Sequence, residues 1–167
     1  MSSIATFYIL PEAKRAEFTN AHRNQKTVTY KRGLFGTKEV VTGDRFLWEY
    51  LDSTITDKTD FPFSGFAFID YFFTFVTSTL PKELETALAS AALDEHYYSF
   101  SSDLAASFAQ YLQSHPPDSA ALASFAAEQQ PDGGAEYVQC LRETHDFILG
   151  WFGRVAPGSF GVLSISF

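Results

Sequence analysis

The sequence predicts an α+β protein, predominantly helical, with five to seven helices packed on a small, mostly antiparallel sheet that includes the N- and C-terminal strands. Three observations predict it. Aromatic and β-branched runs stand at both ends of the chain, over 4–10 and 160–167. Apolar residues at helical spacing, separated by Pro and Gly stops, fill 81–152. No linker long enough to divide the chain interrupts them, so 1–167 reads as a single globular domain.

Taken in order, residues 4–10 read as a strand, and Pro11 opens a short, half-exposed helix. Residues 27–41 read as a hairpin whose turn is bracketed by Gly33 and Gly36. Leu34 and Phe35 at its tip are unusual there. They either fold back on the core or contact a partner. Asp44 is the expected N-cap of a helix carrying Phe46, Leu47, Tyr50 and Leu51, with Trp48 beside them. Residues 54–60 look like a polar loop. Residues 66–76 fit a helix or a fully buried strand. The spacing of Asp70, Thr74 and Thr77 favours the helix, with Phe66, Ile69, Phe73 and Val76 on its apolar side.

Pro81 starts a helix with Glu83 and Glu85 near its positive end. Residues 94–101 read as a break, and Ser102 or Asp103 as the cap of the next helix, which His115-Pro116-Pro117 stops. Asp118 starts another, ended by Pro131-Asp132-Gly133-Gly134. The longest helix runs over 135–152 with Tyr137, Leu141, Ile148 and Trp151 on one stripe, and Arg142 and Asp146 paired on the wet side.

Composition narrows function by exclusion. Phe, Tyr and Trp make up 17% of the chain and charged residues only 19%, which excludes disorder and coiled coil. The net charge of −8 is uneven. Residues 1–58 hold nine Lys/Arg against seven acids, for +2; residues 59–167 hold three against thirteen, for −10. A surface of that sign repels nucleic acid and anionic membrane, and favours a basic protein partner. The most apolar run, 66–76, is too short to span a bilayer, and the N-terminus lacks a signal-peptide pattern, so the expected location is cytoplasmic. Cys140 stands alone, so neither an internal disulfide nor a cysteine metal cluster can form. It is expected to be buried and inert.

No catalytic motif is present: neither a G-x-S-x-G, an H-E-x-x-H, a phosphate loop nor a dinucleotide fingerprint. No metal and no cofactor is called for. The polar-aromatic run His96-Tyr97-Tyr98 is the candidate ligand pocket, with His96 as acid or base. Its plainer reading has both phenols packed over the rim of the core. Asp70, a carboxylate in an apolar run, is either a site acid or a structural acceptor. His145 lies on the same side of its helix as Leu141 and Phe152 and reads as a satisfied, partly buried histidine.

Three stretches resemble the YfbM-like family of small bacterial proteins of unknown function. They are Ala5-Thr6-Phe7-Tyr8-Ile9-Leu10-Pro11-Glu12, Gly43-Asp44-Arg45-Phe46-Leu47-Trp48-Glu49-Tyr50-Leu51, and the long terminal helix followed by Gly161-Val162-Leu163-Ser164-Ile165. The chain departs from that family in its Trp position and in the inserted hairpin around Gly33 and Gly36. The resemblance implies an α+β fold and a cytoplasmic location, and transfers no active site.

The reading that follows is a non-catalytic protein-interaction or regulatory protein, monomer or homodimer, for instance an immunity-type partner of a basic protein. The alternative is a small-molecule binder or modest enzyme with a pocket near His96, Tyr97 and Tyr98.

Overall fold

Strands β1 (Ile4–Pro11) and β6 (Ser159–Ser166) pair antiparallel along their whole length, from Ile4 opposite Ser166 to Pro11 opposite Ser159. That pairing ties both ends of the chain into the centre of one sheet. The structure is a computed structural model and describes residues 4–33, 36–63 and 65–166. Its main sheet has the order β4-β1-β6-β5, all antiparallel, with β4 at Lys58–Asp60 and β5 at Tyr97–Ser101 on the edges. The fold is α+β, as the sequence predicts, with seven α-helices among the described residues.

Period-two alternation sends the side chains of this sheet into two cores. Ala5, Phe7, Phe100, Leu163 and Ile165 face a helical layer; Tyr8, Leu10, Tyr97, Phe160 and Val162 face another. The first layer holds α3 (Gly65–Phe68) and its continuation, with α4 (Lys82–Ala91), α5 (Ser102–Ser114), α6 (Ser119–Gln129) and α7 (Gly134–Arg154). The second holds α1 (Arg15–Arg23), through Phe18, and α2 (Leu47–Thr54), through Leu47, Tyr50 and Leu51. The rings fill the first core. Phe7 meets Phe68, Phe147 and Trp151 edge-on at centroid distances of 5.3, 5.0 and 5.0 Å, the geometry the ring quadrupole favours. Gly161 is required by this packing: a Cβ there would lie 2.7 Å from the Trp151 indole.

The structure corrects several expectations. Residues 94–101 are not a break, since Tyr97–Ser101 forms β5 against β6. Within 54–60, Lys58–Asp60 pairs with β1. A strand of three or five residues with few β-branched side chains carries little local signal; its partner supplies the hydrogen bonds. Asp44 does not cap α2. The first turn begins after Phe46, whose N–H is taken by the Glu49 carboxylate at 3.0 Å. Ser101, not Ser102 or Asp103, caps α5 by accepting from the Leu104 N–H.

Residues 66–76 are helical, and Ile69–Val76 are wound as a π-helix. Its buried side is Phe68, Tyr71, Phe72 and Val76, while Phe66 is half exposed. Of the expected apolar face, Val76 is buried, Ile69 and Phe73 are partly buried against the core and Phe66 is not, while Phe72 takes an inner place between Phe108 and Phe152. Cys140 is half-buried rather than buried. Arg142 donates to Ser119 Oγ at 2.9 Å instead of pairing with Asp146.

Between α1 and α2 the chain leaves the body. Strands β2 (Thr27–Gly33) and β3 (Gly36–Thr42) form a separate two-stranded sheet, in register from Thr27 opposite Thr42 to Gly33 opposite Gly36. Its base is closed by a hydrogen bond from Lys26 N to Arg45 O at 2.7 Å. Gly43 is obligatory there: its φ is +82° and a Cβ would lie 2.3 Å from the Gln25 carbonyl. The protein exposes 9573 Å², more than the roughly 8,000 Å² expected for its mass. A projecting ribbon is the shape that makes such a difference.

Candidate functional site

The hairpin presents nearly all of its described positions to solvent. The described positions of β3 are exposed except Val40, which is partly covered, and β2 is exposed throughout its described positions. The register sorts its side chains by face. Val28 opposes Val41 and Tyr30 opposes Glu39 on one face, with Arg32 beyond them. On the other face Thr27 opposes Thr42, Thr29 opposes Val40, and Lys31 opposes Lys38. Tyr30 is 70% exposed and Val41 47%. Tyr and Arg on a surface ribbon are the residue types that dominate binding energy at interfaces. Two like charges directly opposite each other weaken a strand pair. Among the described residues Lys31, Arg32 and Lys38 enter no ion pair. The ribbon thus keeps an electrostatic cost that no ion pair among the described residues offsets. Leu34 and Phe35, the expected contact residues at the tip, lie outside the described residues.

At the foot of the hairpin a groove of about 710 Å³ opens between β2, the start of α2 and the β5–β6 edge. Trp48, half exposed, stacks on Phe46 with ring centroids 6.2 Å apart, and the Lys26 ammonium sits 5.1 Å over the Phe46 ring. Asp94 organises the floor. Its Oδ1 accepts from the N–H of His96 and of Tyr97 at 2.8 and 2.9 Å; its Oδ2 accepts from Gln25 and His22 at 3.1 and 3.0 Å. Burial alone would raise the Asp94 carboxyl, but these donors together hold it below the usual carboxylate value. Asp94 thereby pins the end of α1, the start of β2 and the start of β5 to one point. Sequence reasoning passed over it as part of a break. The signal was an Asp followed two and three residues later by N–H groups without a helix to satisfy them.

The structure separates the candidate ligand residues. His96 and Tyr97 line the groove, and His96 Nδ1 donates to the Ile165 carbonyl at 3.1 Å. Tyr97 is buried in the α1–α2 core. Tyr98, its neighbour on β5, points to the opposite face of the sheet, where its ring lies 5.0 Å from that of Phe73. Burial raises both phenols above their ordinary value, so they stay neutral. The pleat therefore sends the two phenols to opposite cores, and only Tyr97 borders the groove. Asp70 does not line the groove and accepts a hydrogen bond from the Tyr137 hydroxyl. One residue further along the π-helix, the Tyr71 hydroxyl lies 2.6 Å from His145 Nδ1 in a buried pair. Burial lowers the His145 pKa, against a smaller opposing effect of Asp146, so the imidazole is neutral. These two bonds lace the π-helix to α7 and leave the groups occupied with one another.

Among the described residues no group of three His, Cys, Asp or Glu side chains is placed to hold a metal ion, and no helix is long and apolar enough to cross a membrane. Comparison with protein-family models, curated proteins and solved structures finds no match.

Proposed function

We propose that this chain is a non-catalytic interaction protein that grips its partner with the β2–β3 hairpin. The observation that supports this best is the exposed Val28–Val41–Tyr30 face on a ribbon that adds nothing to either core. The sign of the partner follows from local charge, not from the total. The −8 of the whole chain favours a basic partner, and the acidic α6–α7 end supports one, an immunity-type complex being one form of it. The hairpin itself carries Arg32 and Glu39 on the Tyr30 face and Lys31 and Lys38 on the other, so the surface that meets Tyr30 offers an apolar depression with groups of both signs at its rim.

The test is affinity capture from the organism that makes the protein, with wild type and Tyr30→Ala side by side. Tyr30 is exposed, so the substitution should leave stability within about 0.5 kcal/mol. The expected result is a stoichiometric protein held by wild type and lost from the variant. No such protein, or one held equally by both, would overturn the reading.

A second reading rests on the groove. Trp48 backed by Phe46, with His96 at the floor, suits a small planar or saccharide ligand, and a thermal-shift screen repeated on Trp48→Ala would detect it. Ligand-induced shifts that survive the substitution would count against that site.

A further inference from the structure

The chain has two tryptophans, and their surroundings differ. Trp151 is 3% exposed and fills the main core, whereas Trp48 is 49% exposed and lines the groove at the foot of the hairpin. Phe46 lies nearly parallel to the Trp48 indole, at an interplanar angle of 17°, so the indole is backed as a flat platform. Around that platform the walls are mixed. Val28 adds apolar surface, while Gln25, Thr27, Thr29 and Ser166 bring amide and hydroxyl groups.

Among the described residues three charged side chains line the groove: Lys26, Asp94 and Glu95. Asp94 is spent on the fold, since it accepts from His96, Tyr97, Gln25 and His22. Lys26 and Glu95 have opposite signs, so together they favour neither an anion nor a cation. The Glu95 side chain is 84% exposed and keeps lone pairs for a donor from outside. The volume of about 710 Å³ lies within the range of about 300–1,000 Å³ usual for small-ligand sites. A planar aromatic ligand would cover the indole but leave the polar walls desolvated and unpaired, which costs affinity. A neutral ring with an apolar face and hydroxyls around its rim satisfies both parts. A pyranose is such a ring: its axial C–H bonds form the apolar face and its hydroxyls project from the edge.

We propose that this groove binds a neutral saccharide, an inference that rests on the reading of the groove as a ligand site. One pyranose lies on the Trp48 indole, and the polar walls take its hydroxyls, with the Glu95 carboxylate accepting from one of them in a charge-assisted bond.

Tryptophan fluorescence tests this, because acrylamide quenches the half-exposed Trp48 and spares the buried Trp151. A sugar seated on Trp48 shields it. The probes are glucose, galactose, mannose, xylose and N-acetylglucosamine, with cellotetraose, maltotetraose and chitotetraose as longer chains. At least one should reduce the quenching about twofold or more, with a midpoint of about 1 mM or below, the range a single small ring reaches. Glu95→Ala should raise that midpoint about tenfold and leave thermal unfolding unchanged. Trp48→Ala removes the reporter, so its binding is read by calorimetry, where the heat seen with wild type should vanish. No protection by any of these sugars at about 50 mM, far above that midpoint, would overturn the proposal, as would equal heats from wild type and Trp48→Ala. If the sugars fail but adenosine or benzamide raises the melting temperature of wild type and not of Trp48→Ala, the ligand site stands and only the saccharide falls. If neither kind of probe binds, the reading of the groove falls with it.

Discussion

The sheet β4-β1-β6-β5 and the ribbon β2-β3 are built from similar residue types, yet one disappears into the molecule and the other stands out of it. In β1 and β6 every side chain from Ala5 to Tyr8 and from Phe160 to Ile165 with a side chain to bury is buried. In the ribbon Val28, Tyr30 and Val41 follow the same alternation and remain exposed. A two-stranded ribbon alone in water is marginal. The difference lies in what covers each face. Helices lie on both sides of the main sheet; the ribbon has only its own partner strand and the closure at its base. Burial is therefore a property of the neighbours, and the proposal is that the apolar face the ribbon keeps exposed finds its neighbour in another molecule.

The comparison can be broken most severely in the body. Phe7→Ala removes a ring in contact with Phe68, Phe147 and Trp151 and should cost about 3–5 kcal/mol. The melting temperature should fall by on the order of 10 °C. A small shift in calorimetry would mean that this core is not packed as described. Gly161→Ala should cost about 1–3 kcal/mol, because the new methyl meets a buried indole that cannot swing away. Denaturant unfolding with an unchanged midpoint would contradict that close approach.

How much of this the sequence shows depends on how local each signal is. The end strands, the Pro- and Gly-bounded helices and the stripe Tyr137, Leu141, Ile148 and Trp151 are legible because period and punctuation lie within one segment. The edge strand β5 is not, because Tyr97–Ser101 is a strand only by virtue of β6 beside it. The same holds for the candidate site. His96, Tyr97 and Tyr98 are close in sequence, but the pleat sends the two phenols to opposite cores. Asp94, which gathers His22, Gln25, His96 and Tyr97, draws its donors from segments up to 72 residues away. No spacing rule reaches that far. The hairpin was legible as a hairpin; its isolation from the main sheet was not, since nothing in residues 27–41 says which strands they avoid.

A gentler probe is pH. The His145 pKa is lowered by burial, so below the ordinary 6.5 the unfolded chain takes up a proton that the folded chain refuses. Stability is therefore full above 6.5 and falls as the pH drops from there toward the folded value. The Asp94 carboxyl, also held low, adds a second loss that begins below 3.8 and proceeds as its folded form takes a proton. Melting temperature followed from pH 8 to pH 4 should show the first loss in wild type and a shallower slope in His145→Gln. Equal slopes in the two proteins would show that the Tyr71–His145 pair does not set the acid limit.

The smallest expected effect is also the most direct test of the claim that the ribbon belongs to a partner and not to this fold. Thr27 and Thr42 are opposite each other at the base of the ribbon, so residues 27–42 can be replaced by a two-glycine link between Lys26 and Gly43. Thermal unfolding of that protein should remain one cooperative transition within a few degrees of wild type, since neither core loses a residue. A body that melts far earlier, or no longer unfolds cooperatively, would show that the hairpin supports its own chain and would contradict the account.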